Sequence, residues 1–346
     1  MSSDKKAVRQ YALRLIATGA GVLGTKLARE FGVSRQVAHG YVQSLVNEGV
    51  VRASGKTRAR IYELVTLNEA ERVFDRSGLE EDVVWREVAK EALSDLPTNV
   101  RDIWHYAMTE MINNAIDHSG SEKVWVGFRR NALFVEAWVR DEGEGIFLKI
   151  QSALGLNDSR EAILELAKGK VTTAPENHSG EGIFFTSRMV DQFDIQSGDL
   201  HFRHDQRTFD EIESTSSDVA GTLVVMRLEN ESPRTNQEVF DRFSDPEEYT
   251  FSKTHVPVKL AQVGGERLVS RSQAKRVAQR FEQFKHVELD FEGVEAVGQA
   301  FADELFRVFA AAHPGLRLVP INTSNQVAQM IRRAVAAREE QSAAKS

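Results

Sequence analysis

Thr109-Glu110-Met111-Ile112-Asn113-Asn114-Ala115-Ile116-Asp117-His118 is the stretch on which the reading of this chain turns. Ile103, Ala107, Met108, Met111, Ile112 and Ala115 recur three and four residues apart, which predicts a helix with one apolar stripe. Glu110, Asn114 and Asp117 follow at i, i+4 and i+7 and share another face. On an outer surface, two acids and an amide are a solvated face. In a cleft, a carboxylate activates water and an amide oxygen ligates Mg²⁺, a cation that takes hard oxygen donors. The helix alone leaves both readings open.

The segments downstream separate them. Residues 124–128 and 133–139 alternate about Arg130-Asn131 and predict a β-hairpin that runs into Asp141-Glu142-Gly143-Glu144-Gly145. An acid at a strand end followed by G-x-G suits a tight turn with a carboxylate in a pocket, where it accepts a hydrogen bond from an adenine amine. Residues 147–178 are a polar-interrupted insertion with a helix near 159–167, then Lys168-Gly169-Lys170 and Thr172-Thr173-Ala174-Pro175. Insertions of this length often serve as lids. His178-Ser179-Gly180-Glu181-Gly182 opens a helix over 183–190, whose bare N–H groups and dipole suit an anion. Gly221-Thr222-Leu223-Val224-Val225-Met226 predicts a strand with a hydroxyl near its start.

Taken in this order, Glu110/Asn114/Asp117, Asp141/Gly143/Gly145, Gly180/Gly182 and Gly221-Thr222 resemble the GHKL ATPase superfamily of gyrase, heat-shock-90, histidine-kinase and mismatch-repair ATPases. The resemblance implies an α/β sandwich, with helices on one face of a mixed sheet and ATP between the helices and the lid. By motif match, Glu110 looks like the general base for water and Asn114 like the ligand of a phosphate-bridging Mg²⁺. Asp141 looks like the adenine reader and Thr222 its helper. Gly143, Gly145, Gly180 and Gly182 look like the points of close backbone approach. Asp117 stands where histidine kinases usually carry a basic residue, as in gyrase-type sequences, and no histidine-bearing dimerisation helix precedes it. Gly180-Glu181-Gly182-Ile183-Phe184-Phe185 with Asp191-Gln192-Phe193 is most similar to the anti-sigma-factor serine kinases of the same superfamily. No separate catalytic lysine from a following transducer domain is identified.

At 346 residues the chain should hold two or three domains. It has no cysteine, which excludes a disulfide framework or thiolate metal site and fits a reducing compartment. No signal peptide or run of ~20 apolar residues is present, so a cytoplasmic location without a membrane is expected. The net charge of −7 is uneven: residues 1–66 carry eleven Lys/Arg against four Asp/Glu, a net of +7, leaving −14 on the rest. A basic head on an acidic body points to a polyanion for the head.

Within that head, Val8, Tyr11, Ala12, Leu15 and Ile16 have helical spacing, and residues 23–31 predict a second helix stopped at Gly32. Ser34 caps a third, with Val37, Tyr41, Val42 and Leu45 turned inward. Residues 50–52 and 58–65 predict strands around Ser54-Gly55. This looks like a winged helix-turn-helix. Arg35, Gln36, His39 and Gln43, beside Ser34 at the helix start, would face a major groove, and Lys56, Arg58 and Arg60 would meet phosphates from the wing. The alternative is a protein-docking head.

Residues 67–99, with Asn68-Glu69-Ala70-Glu71-Arg72 and the acidic run from Glu80, are expected to be a mostly helical linker that Pro97 ends. Toward the C-terminus, strands at 256–260, 287–291 and 316–321 alternate with helices at 270–284, 299–312 and 325–337 and predict a small α/β domain. Leu289-Asp290-Phe291-Glu292-Gly293-Val294 with Gln299-Ala300-Phe301-Ala302-Asp303 resembles the STAS-like fold of anti-anti-sigma factors. Gln299 and Ala300 stand where those carry a phosphorylatable serine, so docking of a protein partner is the expected role. The chain thus divides into a winged helix-turn-helix (1–66), a linker (67–99), a GHKL-type ATP-binding domain (100–235) and a STAS-like domain (236–340).

Three functions compete. The first is a DNA-binding regulator controlled by ATP and Mg²⁺. The second is an anti-sigma-type serine/threonine kinase targeted by DNA. The third is an ATP-driven clamp that dimerises on DNA, with the homodimer left open in the other two.

Overall fold

The computed structural model describes residues 2–56, 60–172, 180–208, 210–248, 250–262 and 266–343. The head is built from helices α1 (Ser2–Ala17), α2 (Leu23–Phe31) and α3 (Arg35–Asn47) and an antiparallel pair, β1 (Val51–Ser54) with β2 (Ile61–Leu64). Gly32 closes α2 in the left-handed region and Ser34 Oγ accepts the Val37 N–H at 3.2 Å, so the turn between α2 and α3 is capped from both sides. Ala38, Val42 and Leu45 point into the head's core. Val37, expected inward, is 48 % exposed, because it lies in the first turn of α3 on the outer side of that stripe.

Next come β3 (Asn68–Asp75), α4 (Glu81–Trp85, continued by a π turn Arg86–Lys90), α5 (Thr98–His118), β4 (Lys123–Arg130), β5 (Phe134–Asp141), α6 (Ile146–Leu154), α7 (Ser159–Lys168), α8 (Gly182–Met189), β6 (Gln192–Asp205) and β7 (Glu211–Glu229). The strands form one five-stranded sheet in the order β3-β4-β5-β7-β6. Two expectations change here. Residues 68–72 are not helical: Asn68–Asp75 pairs along its whole length with β4 as an edge strand. Its charged residues, which read as a linker, are the polar guard such an edge carries. The sheet is also not mixed. Every pairing in it is antiparallel, since β4–β5 and β6–β7 are consecutive pairs and the longer excursions return in the opposite sense.

α5 lies on this sheet and buries Val100, Ile103, Trp104, Ala107, Met108, Met111, Ile112 and Ala115. Each such burial contributes about 1.5–3 kcal/mol for the larger side chains. That fixes the rotation of the helix and so the direction of its remaining faces.

The C-terminal part contains α9 (Asn236–Phe243), β8 (Lys253–Pro257), α10 (Arg271–Ala278), β9 (His286–Asp290), α11 (Gln299–Asp303, continued by a π stretch Glu304–Phe309 and α12, Ala310–Ala312), β10 (Arg317–Ile321) and α13 (Asn325–Ala343). Its sheet is parallel, in the order β10-β9-β8. The helix expected over 270–284 stops at Ala278, because Arg280 adopts φ 66°, and a single 3₁₀ turn follows at Phe281–Gln283. The first C-terminal strand is β8, and 258–260 form a 3₁₀ turn instead.

One continuous apolar core runs from Val84 to Ala334, through the five-stranded sheet and the C-terminal part alike. Phe184 and Phe185 of α8, Phe240 and Phe243 of α9, and Phe251 stack edge-to-face or tilted at the junction. The head has a separate core, into which Leu133 from the β4–β5 turn inserts. Arg14 of α1 grips Glu229 at the end of β7 with bonds of 2.9, 3.1 and 2.6 Å.

Candidate nucleotide site

Pinned by its apolar stripe, α5 turns Glu110, Asn113, Asn114 and His118 toward a cavity of about 280 Å³. The opposite wall comes from the end of β5 and its partner strand. Asp141 is the last residue of β5 and stands in register with Thr222 of β7. Its carboxylate is 5 % exposed and accepts the Gly143 N–H at 2.9 Å. Burial pushes the Asp141 carboxyl above its ordinary range, against the N–H groups of Gly143 and Thr222 and the charge of Lys149. Thr222 Oγ1 accepts the Ile146 N–H at 3.0 Å, so this hydroxyl caps α6 from a neighbouring strand.

The glycines divide into two kinds. Gly145, Gly180 and Gly182 line the cavity. Gly145 has φ 91° and would place a Cβ 2.6 Å from Ser197 Oγ. Gly180 has φ 70° and lies against the Val171 backbone, whose N–H donates to Gly180 O at 3.1 Å. Gly182 begins α8, and a Cβ there would stand 2.0 Å from Glu110 Oε2. Gly143 does not line the cavity. It packs behind it, where a Cβ would meet Ser119 O at 1.8 Å, and so ties the turn to the end of α5.

Asp117 also departs from expectation. It is exposed and outside the lining, and His118 and Ser119 occupy that end of the cavity instead. Each helical residue turns about 100° round the axis, so where the next residue, His118, faces the cavity, Asp117 is rotated toward solvent.

The motifs give no role to several lining residues. Lys149 of α6 stands in the wall and donates to His118 O at 2.5 Å. Glu181 sits at the N-terminus of α8, where the dipole favours negative charge. Burial, with the charges of Glu110 and Glu181 added, drives the Tyr106 phenol far above its ordinary range. Leu166, Val171 and Thr172 close the cavity from the α7 side. The insertion expected as a lid is therefore, in its described part, two packed helices and a wall. Thr173, Ala174, Pro175, His178 and Ser179 lie outside the described residues.

This geometry suits a magnesium nucleotide. Among the described residues, no cluster of three or more His, Cys, Asp or Glu side chains is arranged to hold a metal. A single amide oxygen such as that of Asn114 beside a carboxylate is the donor set for Mg²⁺ that takes its other ligands from phosphate and water. The Asn114 amide nitrogen lies 4.0 Å from Met111 Sδ. The oxygen of that amide is the atom a cation would take.

Residues 76–201 match the family model of the histidine kinase-like ATPase domain. This part of the chain is thus of a nucleotide-binding type. The match takes in β4, β5, α5 and α8 and begins within the segment expected to be linker. Thr222 lies beyond it and joins the site through its pairing with Asp141 and its bond to Ile146. Residues 273–328 match a STAS-like domain of unknown function. No curated protein matches the chain.

In the head, Ser34, Arg35, Gln36 and His39 are exposed along the start of α3, and Lys56 and Arg60 are exposed on the hairpin. Arg60 stacks on Tyr62 at 5.4 Å. Gln43 is turned to Asn47, to which it donates at 3.0 Å. Arg58 lies outside the described residues. Among the described residues no helix is long and apolar enough to cross a membrane.

Proposed function

We propose that the chain is a DNA-binding regulator whose central domain binds ATP with Mg²⁺ and whose nucleotide state sets how the head meets DNA. The observation that carries the nucleotide half is the meeting of Glu110, Asn114, Asp141, Gly145 and the α8 N-terminus around one cavity. In this reading Asp141 accepts the adenine amine, and Asn114 supplies an oxygen to Mg²⁺, which neutralises phosphate charge. The α8 N–H groups receive phosphate oxygens, and Glu110 orients and deprotonates water. Lys149, the cation lining the cavity among its described residues, is a further candidate for phosphate contact. Mg²⁺ matters all the more because Glu110, Glu181 and Asp141 make the walls acidic.

The DNA half is supported by the +7 charge of residues 1–66 and by the exposed edge of α3. The head is also coupled to the body. Leu133 anchors it, and Glu229 is shared by Arg14 of the head and Arg207 of the β6–β7 turn at 2.6 Å. The second reading, a serine/threonine kinase of the anti-sigma type, is favoured by the compact Gly180-Glu181-Gly182 turn at Glu110.

The test is binding of genomic DNA fragments with and without Mg·ATP, following γ-labelled phosphate in the same tube. Nucleotide-dependent retention of a subset of fragments with release of free phosphate supports the regulator. Transfer of label to a protein supports the kinase. Asn114→Ala should abolish magnesium-nucleotide binding, and calorimetry with undiminished affinity rejects the assignment of the site.

A further inference from the structure

The α7-side wall of the nucleotide cavity is Leu166, Val171 and Thr172, and the same segment is held from behind by the C-terminal domain. α7 is nearly sealed: Glu161, Glu165 and Lys168 are buried with the apolar residues between them. Arg276 of α10 bonds Glu161 at 3.0 Å, and Arg280 bonds Glu165 at 3.1 Å. Lys168 is fully buried. It donates to Glu165 at 2.6 Å and to the carbonyls of Arg276 and Gln279 at 3.3 and 2.9 Å, where α10 ends.

The grip continues along the chain toward the cavity. Thr254 of β8 donates to Lys168 O at 2.6 Å, Arg280 donates to Lys170 O, and Lys170 donates to Gln283 O at 2.9 Å. The Lys170 ammonium lies over Phe284 at 4.9 Å and Phe251 at 5.4 Å. Lys170 and Arg280 both have positive φ, 57° and 66°. Left-handed backbone is unfavourable for a residue with a Cβ, and such conformations persist where surroundings over-determine them. Here each of the two supports the other. Val171, the next residue, is already in the cavity wall.

Resting on the nucleotide reading of the cavity, we propose that the C-terminal domain is part of the nucleotide-binding machinery. Arg280, Lys168 and Lys170 are positioning residues that hold the 166–172 wall against the nucleotide. Nucleotide occupancy and the conformation of residues 276–284 are then thermodynamically linked, and a partner that moves α10 changes nucleotide affinity by the same factor that nucleotide changes the partner's. Surface ion pairs contribute little, but Lys168–Glu165 is fully buried and both arginines pair with buried carboxylates, and removing one partner from a buried pair leaves an uncompensated charge.

The test uses the full chain and Mg·ADP, which binds without turnover. Hydrogen exchange of the wild type should show backbone amides of 276–284 gaining protection when Mg·ADP binds. Arg280→Gln and Lys170→Met should each weaken Mg·ADP about tenfold, within the range typical of coupled sites, while Lys170→Arg keeps most of the affinity. Arg307→Gln, whose partner is Asp303 on the same domain, is the control and should bind as wild type. If Arg280→Gln does not fold, Lys170→Met and the wild-type exchange decide. The inference is overturned if Asn114→Ala loses Mg·ADP as expected, yet Lys170→Met binds normally and 276–284 exchange is unaltered. A wild type that binds no Mg·ADP overturns the nucleotide reading, and this inference with it.

Discussion

Gly182→Ala separates catalytic geometry from folding at a single position. Gly182 is the first residue of α8 and has no left-handed backbone to lose. An alanine Cβ would lie 2.0 Å from Glu110 Oε2 and 3.0 Å from its Cδ. Comfortable non-bonded contact needs about 3.5 Å, so the carboxylate must retreat by more than about 1 Å. The displaced atom is the end of a flexible side chain, so the fold bears little of the cost. Alanine in place of glycine favours a helix by up to about 1 kcal/mol. Thermal stability should therefore hold or rise slightly. Turnover should not: misplacing a reacting group by about 1 Å costs on the order of 10²-fold. The assay is steady-state phosphate release, with Mg·ADP affinity and the melting temperature measured on the same preparation. Glu110→Ala serves as reference and should bind ATP without turning it over. Wild-type turnover in Gly182→Ala would remove Glu110 as the base. A melting temperature lowered by many degrees would show that the Glu110 side chain cannot retreat and that the fold bears the clash.

Asp141→Ala should lose about 1–3 kcal/mol of preference for adenine over guanine nucleotides, the scale of a buried acceptor left without its partner; competition calorimetry that finds the preference intact refutes the adenine contact. Because burial raises the Asp141 carboxyl, the ionised acceptor should be lost on acidification at a pH above the ordinary 3.8, and affinity should fall there as it protonates. In the head, Arg35→Ala with Lys56→Ala should weaken DNA binding and lower the steepness of log K against log salt by about two contacts at ~0.9 each; an unchanged slope points to protein docking. Lys168 is pushed down to about 8 from 10.5 by burial. The unfolded chain therefore holds this proton over pH 8 to 10.5 when the folded one does not, so stability should rise with pH through that window, by about 3 kcal/mol at most. Chemical denaturation of Lys168→Met should lack that rise, and a parallel pH profile in the variant would show that the seam does not bury this ammonium.

What was legible in the residues was local. The apolar stripe of α5, the capped turn before α3, the β4–β5 hairpin and the glycines before α8 each follow from a period or turn chemistry spanning a dozen residues or fewer. The grouping of Glu110, Asn114, Asp141, Gly145, Gly180, Gly182 and Thr222 could be named from motif order, although nothing local says that these segments meet. Strand β3 was misread because an edge strand dressed in charge has the composition of a polar linker, and only its hydrogen-bonded neighbour makes it a strand. Asp117 and Gly143 share a motif with lining residues, yet rotation about the helix axis turns one toward solvent and close packing puts the other behind the cavity.

Lys149 and the grip of Arg280 on the α7 wall had no signature, and Glu181 stood inside a motif that gave it no role, since each depends on elements far apart in the chain. The sequence by itself determined the elements, the charge of the head and the chemical types available to a nucleotide. Tertiary structure decided which of those groups face one cavity and set the C-terminal domain behind its wall. Side-chain periodicity records which way a residue points from its own backbone, whereas a binding site is defined by what the other segments place opposite it.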